Sequence, residues 1–367
     1  MVNYPNTAFE PDYAIPPGII LEEILSSRGI KKVELAERCG LSEKHISQIT
    51  KGKASISPET AIQLETVLGI SAVTWTNLEA NHKLHLAKQE AQAEIRRQAD
   101  WVNKFPLKDL TKRGILPRTT DPVETAEKLL SFFRVASIDA WEMRFKQLVE
   151  VYYRDSTVFK SNPVSISAWL RFGEKIAEEI DTAPYDRELF LEGLTRIRNL
   201  TKESPNKFEP LMKEYCRKAG IVVTFVPGLS ASRLCGATRW LQPDKALIML
   251  SLRYHWEDIF WFTFFHEAAH ILMHNKKERF LDEEGMKQDQ HEKEADAFAA
   301  SFLIPDAEYR AFTDSSVFSR GDILSFAKKL DIAPGIVVGR LQHDKLINYS
   351  WHNNLRRRFS IQTSNVE

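Results

Sequence analysis

Residues 261–272 read Trp-Phe-Thr-Phe-Phe-His-Glu-Ala-Ala-His-Ile-Leu, an apolar, aromatic run with no helix breaker in it. As a helix, this run places His266 and His270 one turn apart on the same face. Two imidazoles presented that way can share one Zn²⁺. Glu267 stands about 100° further round the helix, where it can take a proton from water at the metal. One helix cannot complete such a site, because a third protein ligand is needed and the fourth position has to stay open. The fold is therefore constrained to bring a second ligand-bearing element against the first. Residues 291–303, His-Glu-Lys-Glu-Ala-Asp-Ala-Phe-Ala-Ala-Ser-Phe-Leu, have the right pattern. Ala295, Phe298, Ala299 and Phe302 form an apolar stripe, and Glu292 and Asp296 stand four apart on the polar side. Glu292 can ligate the metal while Asp296 orients a ligand histidine through its other ring nitrogen. Glu294 is a competing ligand on a different face. Without such a partner, two helical histidines are usually core or surface residues, so the second helix decides the reading.

A chain of 367 residues is expected to hold two or three domains. Lys+Arg 50 against Asp+Glu 50 leaves no net charge, so nucleic-acid binding has to come from a local patch. Cys39, Cys216 and Cys235 form an odd set without a CxxC pair, which excludes a disulfide framework and fits a reducing cytoplasm. No basic-then-apolar leader opens the chain and no apolar run approaches a membrane span, so a soluble cytoplasmic protein is expected.

The first fifteen or so residues, with Pro5, Pro11, Pro16 and Pro17, read as an extended arm. Five short helices follow. They begin at Gly18, Lys32, Ser42, Ser57-Pro58 and Ser71, with stops at Gly40, Lys51-Gly52-Lys53 and Gly69. The second and third match a helix-turn-helix: Ala36 is small at the crossing, Gly40 supplies a left-handed turn, and Leu35, Leu41, Ile46 and Ile49 take the core positions. The third helix then enters a major groove and reads bases with Lys44, His45, Ser47 and Gln48, with Glu43 at its start. Lys51 and Lys53 hold phosphates. One such domain binds weakly, so a homodimer on a palindromic site is expected.

This segment resembles a known family. Pro16-Pro17-Gly18-x-x-Leu21-x-Glu23-x-Leu25, followed by Leu35-Ala36 and Ile46-Ser47, looks like the HigA-type antitoxins of the Cro/C1 repressor class. Over about the first 80 residues the resemblance implies a lambda-repressor-like domain that binds operator DNA and, more weakly, a partner toxin of the HigB type.

From Asn81 to Phe105 a long polar helix is expected, as a spacer or partner-binding arm, closed by Pro106. Residues 107 to about 204 continue helical, with amphipathic patches that include Leu129, Phe133, Trp141, Phe145, Leu148, Val149 and Trp169. Aromatics at this spacing are read as core rather than as a pocket. Ile221–Val226, Ala237–Leu241 and Ala246–Leu250 read as three strands, the last two around a Pro243-Asp244 turn. With the two site helices they make a small α+β unit. A strand beside the metal cleft can pair with an extended peptide, and Ala246–Leu250 is the one expected to do so. The fold class is thus mainly α with a small α+β domain carrying a short antiparallel sheet. The division expected is 1–80 helix-turn-helix, 81–205 helical linker or middle domain, 206–310 peptidase core and 311–367 helical tail.

A second resemblance rests on this region. His266-Glu267-x-x-His270-x-x-x-His274, Glu292-x-x-Ala295-Asp296-x-Phe298-Ala299 and Leu303-Ile304-Pro305 look like the ImmA/IrrE family of metallopeptidases, over roughly residues 205 to 350. The resemblance implies that Glu292 is the third ligand and that a helix-turn-helix repressor is the usual substrate. His274 lies two turns from His266 and is read as a supporting residue, since three histidines along one straight helix cannot all reach one ion. The mechanism expected is that of a zinc endopeptidase. Zn²⁺ on His266, His270 and Glu292 acidifies a water, and Glu267 takes its proton and later delivers it to the leaving amine. Tyr254, His255 and Arg239 are guesses for a transition-state residue, with no spacing behind them. The expected protein is a DNA-bound regulator that cleaves a repressor, an antitoxin, a toxin or its own N-terminal domain. The rival reading is an antitoxin-like autorepressor whose peptidase-like module only senses or binds.

Overall fold

The structure is a computed structural model that describes residues 14–145, 162–230, 232, 234–274, 285–314 and 318–359, with side chains from residue 290 onward in the 285–303 helix. Most of the expected N-terminal arm, and Leu148 and Val149, lie outside the described residues. The chain divides into two compact units, Met1–Ala99 and Asp100–Glu367. No boundary between compact units falls at 205/206. Among the described residues no helix is long and apolar enough to cross a membrane.

The first unit contains α1 (Pro17–Arg28), α2 (Lys32–Cys39), α3 (Glu43–Thr50), α4 (Pro58–Leu68) and α5 (Ala72–Arg97). Local chemistry sets the boundaries. The hydroxyls of Ser42, Ser57 and Ser71 accept hydrogen bonds from the amides of His45, Thr60 and Thr74, so each is an N-cap. Gly40 ends α2 in the left-handed conformation, at φ 67°. Leu21, Leu35, Ile46, Ala61, Leu64 and Trp75 are fully buried, and Ile49 nearly so. Each large aliphatic side chain among them contributes about 1.5–3 kcal/mol of burial. Ala36 is buried where α2 meets α3, and Leu41 packs against the same core from the turn. The fifth helix and the polar helix expected from Asn81 are not separate elements. They run on as one 26-residue helix to Arg97, because Ala, Glu, Gln, Lys and Arg continue the helix and no breaker intervenes. Past Glu79 it is exposed on almost every face.

In the second unit, Trp101, Phe105, Phe133, Trp141 and Phe145 pack ring edge to ring face or tilted, at centroid distances from 4.7 to 5.7 Å. Trp141 is thus core, as its spacing implied. Trp169 is fully buried and its indole N–H donates to the Val226 carbonyl at 2.9 Å. The sheet has the order β1 (Ile221–Phe225), β3 (Lys245–Leu250), β2 (Gly236–Gln242). It is mixed, not purely antiparallel. β1 pairs parallel with β3 from Ile221↔Ala246 to Phe225↔Leu250, and β2 pairs antiparallel with β3 from Gly236↔Leu250 to Gln242↔Lys245. The chain leaves β1, crosses to the far side and returns through the Pro243-Asp244 hairpin, which inserts β3 between its partners. Both edges of β3 are therefore occupied. The edge strands are β1 and β2, so the expectation that Ala246–Leu250 pairs with a substrate is overturned.

The helix Glu257–Met273 lies on this sheet through Trp261, Phe264, Phe265 and Ala268, all fully buried. Its first turn is anchored by residues about 100 positions later. Glu257 is fully buried and meets the Arg357 guanidinium at 2.5 Å, and Asp258 accepts two hydrogen bonds from Arg356 at 2.9 and 2.8 Å. Burial pushes both carboxyl pKa values up, against the pull of the arginines. Two glycines of the helix Pro334–His343 make room for these carboxylates. A Cβ on Gly335 would sit 2.1 Å from Glu257 Oε1, and one on Gly339 2.3 Å from Asp258 Oδ2. Gly335→Ala is expected to lower unfolding stability by about 1–3 kcal/mol through overpacking, since the Glu257 side chain has no free space to retreat into. Urea denaturation of the full chain checks this, and an unchanged midpoint for the second unit would contradict it.

Candidate metal centre and nucleic-acid interface

The two site helices, Glu257–Met273 and Gly285–Leu303, pack through small residues. Ala295 and Ala299 are fully buried, and Phe265 and Phe302 meet at 5.1 Å between ring centroids. The alanines let the backbones come close enough for carboxylates on one helix to reach imidazoles on the other.

Three donor atoms converge. His266 Nε2 lies 3.1 Å from His270 Nε2 and 3.1 Å from Glu292 Oε2, and His270 Nε2 lies 3.4 Å from Glu292 Oε1. Zinc with bonds of about 2.0–2.2 Å in a tetrahedron holds its ligand atoms roughly 3.3–3.6 Å apart. One observed edge, 3.4 Å, lies in that range and the other two, 3.1 Å, fall just short of it, so a small outward shift of the side chains fits the donor set to a zinc-sized cation. Among the described residues, His266, His270 and Glu292 form the one group of three or more such side chains able to hold a metal ion. The other ring nitrogens face away from this point and have partners of their own. His266 Nδ1 lies 2.8 Å from Asp296 Oδ1, and His270 Nδ1 lies 2.8 Å from His274 Nδ1.

The electrostatics favour positive charge at the convergence point. Burial opposes a charged His266, but hydrogen bonds to Asp296 and Glu292 and the charge of Glu267 outweigh it and hold the His266 pKa up at about 10 in the metal-free chain. Burial also pushes Glu292 up, yet its hydrogen bonds to His266 and His270 win and hold its carboxyl far below the usual range. A site that binds a proton this firmly offers the same negative potential to a cation.

Glu267 is buried beside the pair. Its carbonyl oxygen accepts a hydrogen bond from Thr238 of β2 at 3.0 Å, and a Cβ on Gly236 would sit 2.8 Å from its Oε1. This edge strand thus lies directly against Glu267. Gly236 is needed here for close approach, not for backbone conformation. Thr238 carries no sequence signal, because its contact depends on a strand and a helix meeting across 29 residues.

The helix ends at Met273, and His274 is its C-cap, with φ −105° and ψ 141° and its amide donating to the His270 carbonyl at 3.4 Å. Its ring follows the His270 ring at 4.9 Å between centroids, against 4.8 Å from His266 to His270, and meets the outer nitrogen of His270. Burial lowers its pKa, with Glu294 opposing and His270 and His291 adding to the effect. The contacts of the three guessed residues lead elsewhere. Arg239 pairs with Glu174 at 2.7 Å, Tyr254 lies under the Arg253 guanidinium, and His255 Nδ1 lies 3.2 Å from the Phe359 carbonyl.

In the first unit, Lys44 of α3 and Lys51 and Lys53 just beyond it are exposed, whereas His45, Ser47 and Gln48 are half-buried. Ile46 and Ile49 point inward, so the outer face of α3 carries the expected reading residues.

Comparison with known proteins gives two matches along the chain. Residues 21–75 match the helix-turn-helix family, and residues 216–328 match the IrrE N-terminal-like domain of the M78 peptidases. The Virulence-associated protein I of Dichelobacter nodosus is 33% identical over 81 residues, 22% of this chain and 75% of that protein. The uncharacterized HTH-type transcriptional regulator YddM of Escherichia coli is 32% identical over 81 residues, 22% of this chain and 84% of that protein. An addiction module antidote protein of a HigA family from Coxiella burnetii is 26% identical, with a TM-score of 0.21, over 23% of this chain and 91% of that one. The chain is therefore a DNA-binding regulator with a peptidase-like module: it belongs to the helix-turn-helix family and carries an IrrE-like domain. The similarity to the two curated relatives extends over 81 residues in each case.

Proposed function

We propose that the second unit is a zinc endopeptidase, and that this regulator cleaves a protein of its own control circuit. The observation that carries the reading is the meeting of His266 Nε2, His270 Nε2 and Glu292 at 3.1–3.4 Å, with Glu267 buried alongside. His266, His270 and Glu292 would hold the metal. When bound, zinc supplies the Lewis acidity that polarises a carbonyl and acidifies water. The chain's own residues do the rest. Asp296 fixes the His266 ring through Nδ1. The Glu267 carboxylate takes the proton of the attacking water and returns it to the leaving amine. β2 lies against Glu267 at one edge of the sheet, and an extended peptide from a locally unfolded protein segment is the substrate that suits this position. A repressor, an antitoxin, a toxin partner or the chain's own N-terminal unit supplies such a segment.

On the same reading α3 docks in the major groove of an operator, with the protein as a dimer on a palindromic site and Lys51 and Lys53 on phosphates. The HTH-type regulator among the relatives supports this assignment. A second reading, in which the IrrE-like module senses or binds without cutting, rests on the curated relatives sharing only 81 residues, 22% of this chain. A toxin partner belongs to that reading.

Two outcomes are expected. Glu267→Gln keeps its zinc, measured as metal content, and loses roughly 10²–10⁴-fold in the rate at which the zinc-loaded chain cleaves candidate partner proteins. Undiminished cleavage by this variant would remove Glu267 from the chemistry, and no cleavage by either form would favour the sensor reading. On operator DNA, Lys51→Ala weakens binding to all sequences alike and reduces the salt slope by about 1, whereas Gln48→Ala costs about 1–3 kcal/mol and relaxes base preference. Binding isotherms at several salt concentrations separate the two effects.

A further inference from the structure

We infer that His274 and Glu294 form a positioning relay that fixes His270 in the one tautomer able to ligate the metal. The inference rests on the proposed metal reading of His266, His270 and Glu292, and extends it to residues outside the ligand set.

The hydrogen-bond arithmetic leaves one arrangement. His270 turns Nε2 toward the convergence point, 3.1 Å from His266 Nε2, so this atom must present a lone pair to a cation. The ring proton of neutral His270 is then on Nδ1. That atom lies 2.8 Å from His274 Nδ1, which must accept the proton's hydrogen bond. With Nδ1 as acceptor, the proton of neutral His274 is on Nε2, which lies 3.3 Å from Glu294 Oε2 and donates to it. Glu294 is held in turn by Gln290, whose amide donates to Oε1 at 2.9 Å. The His291 ring stacks on His274 at 4.2 Å between centroids and 28° between planes, which blocks ring rotation from one side. His274 is itself buried.

The two ligand histidines are therefore supported in different ways. His266 has a carboxylate directly on its outer nitrogen, Asp296. His270 has an imidazole there, and the carboxylate stands one ring further out. Both chains end on the same helix, at Asp296 and Glu294, two residues apart. Glu294, which sequence alone offers as a competing metal ligand, instead supplies the acceptor that closes the second chain. His274, four residues on from His270 and capping the helix end, is in reach of its outer nitrogen from there.

The test is zinc affinity of the full chain, by competition with a chelator, together with the visible absorption bands of the Co²⁺-substituted protein. His274→Leu removes the acceptor and is expected to weaken zinc binding by about 10–100-fold and to shift the Co²⁺ bands. His274→Asn restores an acceptor oxygen near the Nδ1 position and is expected to recover most of the affinity and the original bands. Glu294→Leu is expected to produce a smaller loss of the same sign. A His274→Leu chain that is folded, by circular dichroism, and binds zinc like the unsubstituted protein overturns the relay. If His274→Leu does not fold, Glu294→Leu decides, since that side chain is half exposed, and unchanged affinity there overturns the relay equally. His266→Ala tells this failure from failure of the metal reading. If it too leaves zinc affinity intact, the ligand set is wrong, and if it abolishes binding while the relay variants do not, only the relay falls.

Discussion

The geometry of the candidate metal centre depends on how the helix Glu257–Met273 is anchored at its start. Two carboxylates in its first turn, Glu257 and Asp258, are buried against Arg357 and Arg356. Negative charge at a helix N-terminus is favoured by the helix dipole, and the guanidiniums neutralise what burial makes expensive. Removing Arg356 would strand a buried carboxylate at a cost of about 3–5 kcal/mol. Three turns further on, the same rigid helix presents His266 and His270. The position of the two imidazoles is thus set by ion pairs at the far end of the element, and the Ala295 and Ala299 contact sets the approach of Glu292.

The chemistry-bearing part was legible in the sequence because it is periodic. His266, Glu267 and His270 follow from spacing within one helix, and Glu292 and Asp296 from spacing within another. The short helices of the first unit were legible through their serine caps and glycine stops. What could not be read depends on pairing across long separations. The mixed sheet and the central place of β3 depend on which strand the chain crosses over, which no strand's own residues record. The arginine anchors lie about 100 residues from their carboxylates, and Thr238 lies 29 from Glu267. His274 follows from the same four-residue spacing, one turn on from His270, although the sequence shows no breaker for the helix end at Met273.

The two units show different design. The first is a small core of aliphatic side chains around Trp75, with a polar outer face on α3. The second spends its aromatic residues on two separate tasks. One set, from Trp101 to Phe145, holds the helices before the sheet together, and another, around Phe208, Phe260 and Trp261, fixes the His266 helix on the sheet. Arg113 donates to the carbonyls of Pro227 and Gly228, and Asp109 accepts from Ser230, so the helix Leu107–Lys112 grips the segment between β1 and β2. The region before the IrrE-like match is therefore part of the body that shapes the β2 edge strand.

The glycines at 335 and 339 and the arginines at 356 and 357 bear on what counts as the smallest autonomous piece of this protein. The recognisable peptidase-family segment closes at residue 328, before any of the four. A fragment cut to that boundary would keep every candidate metal ligand. It would also expose the hydrophobic flank of the His266 helix to water and leave two acidic side chains without counterions. The limits of sequence similarity and the limits of independent folding do not coincide in this chain.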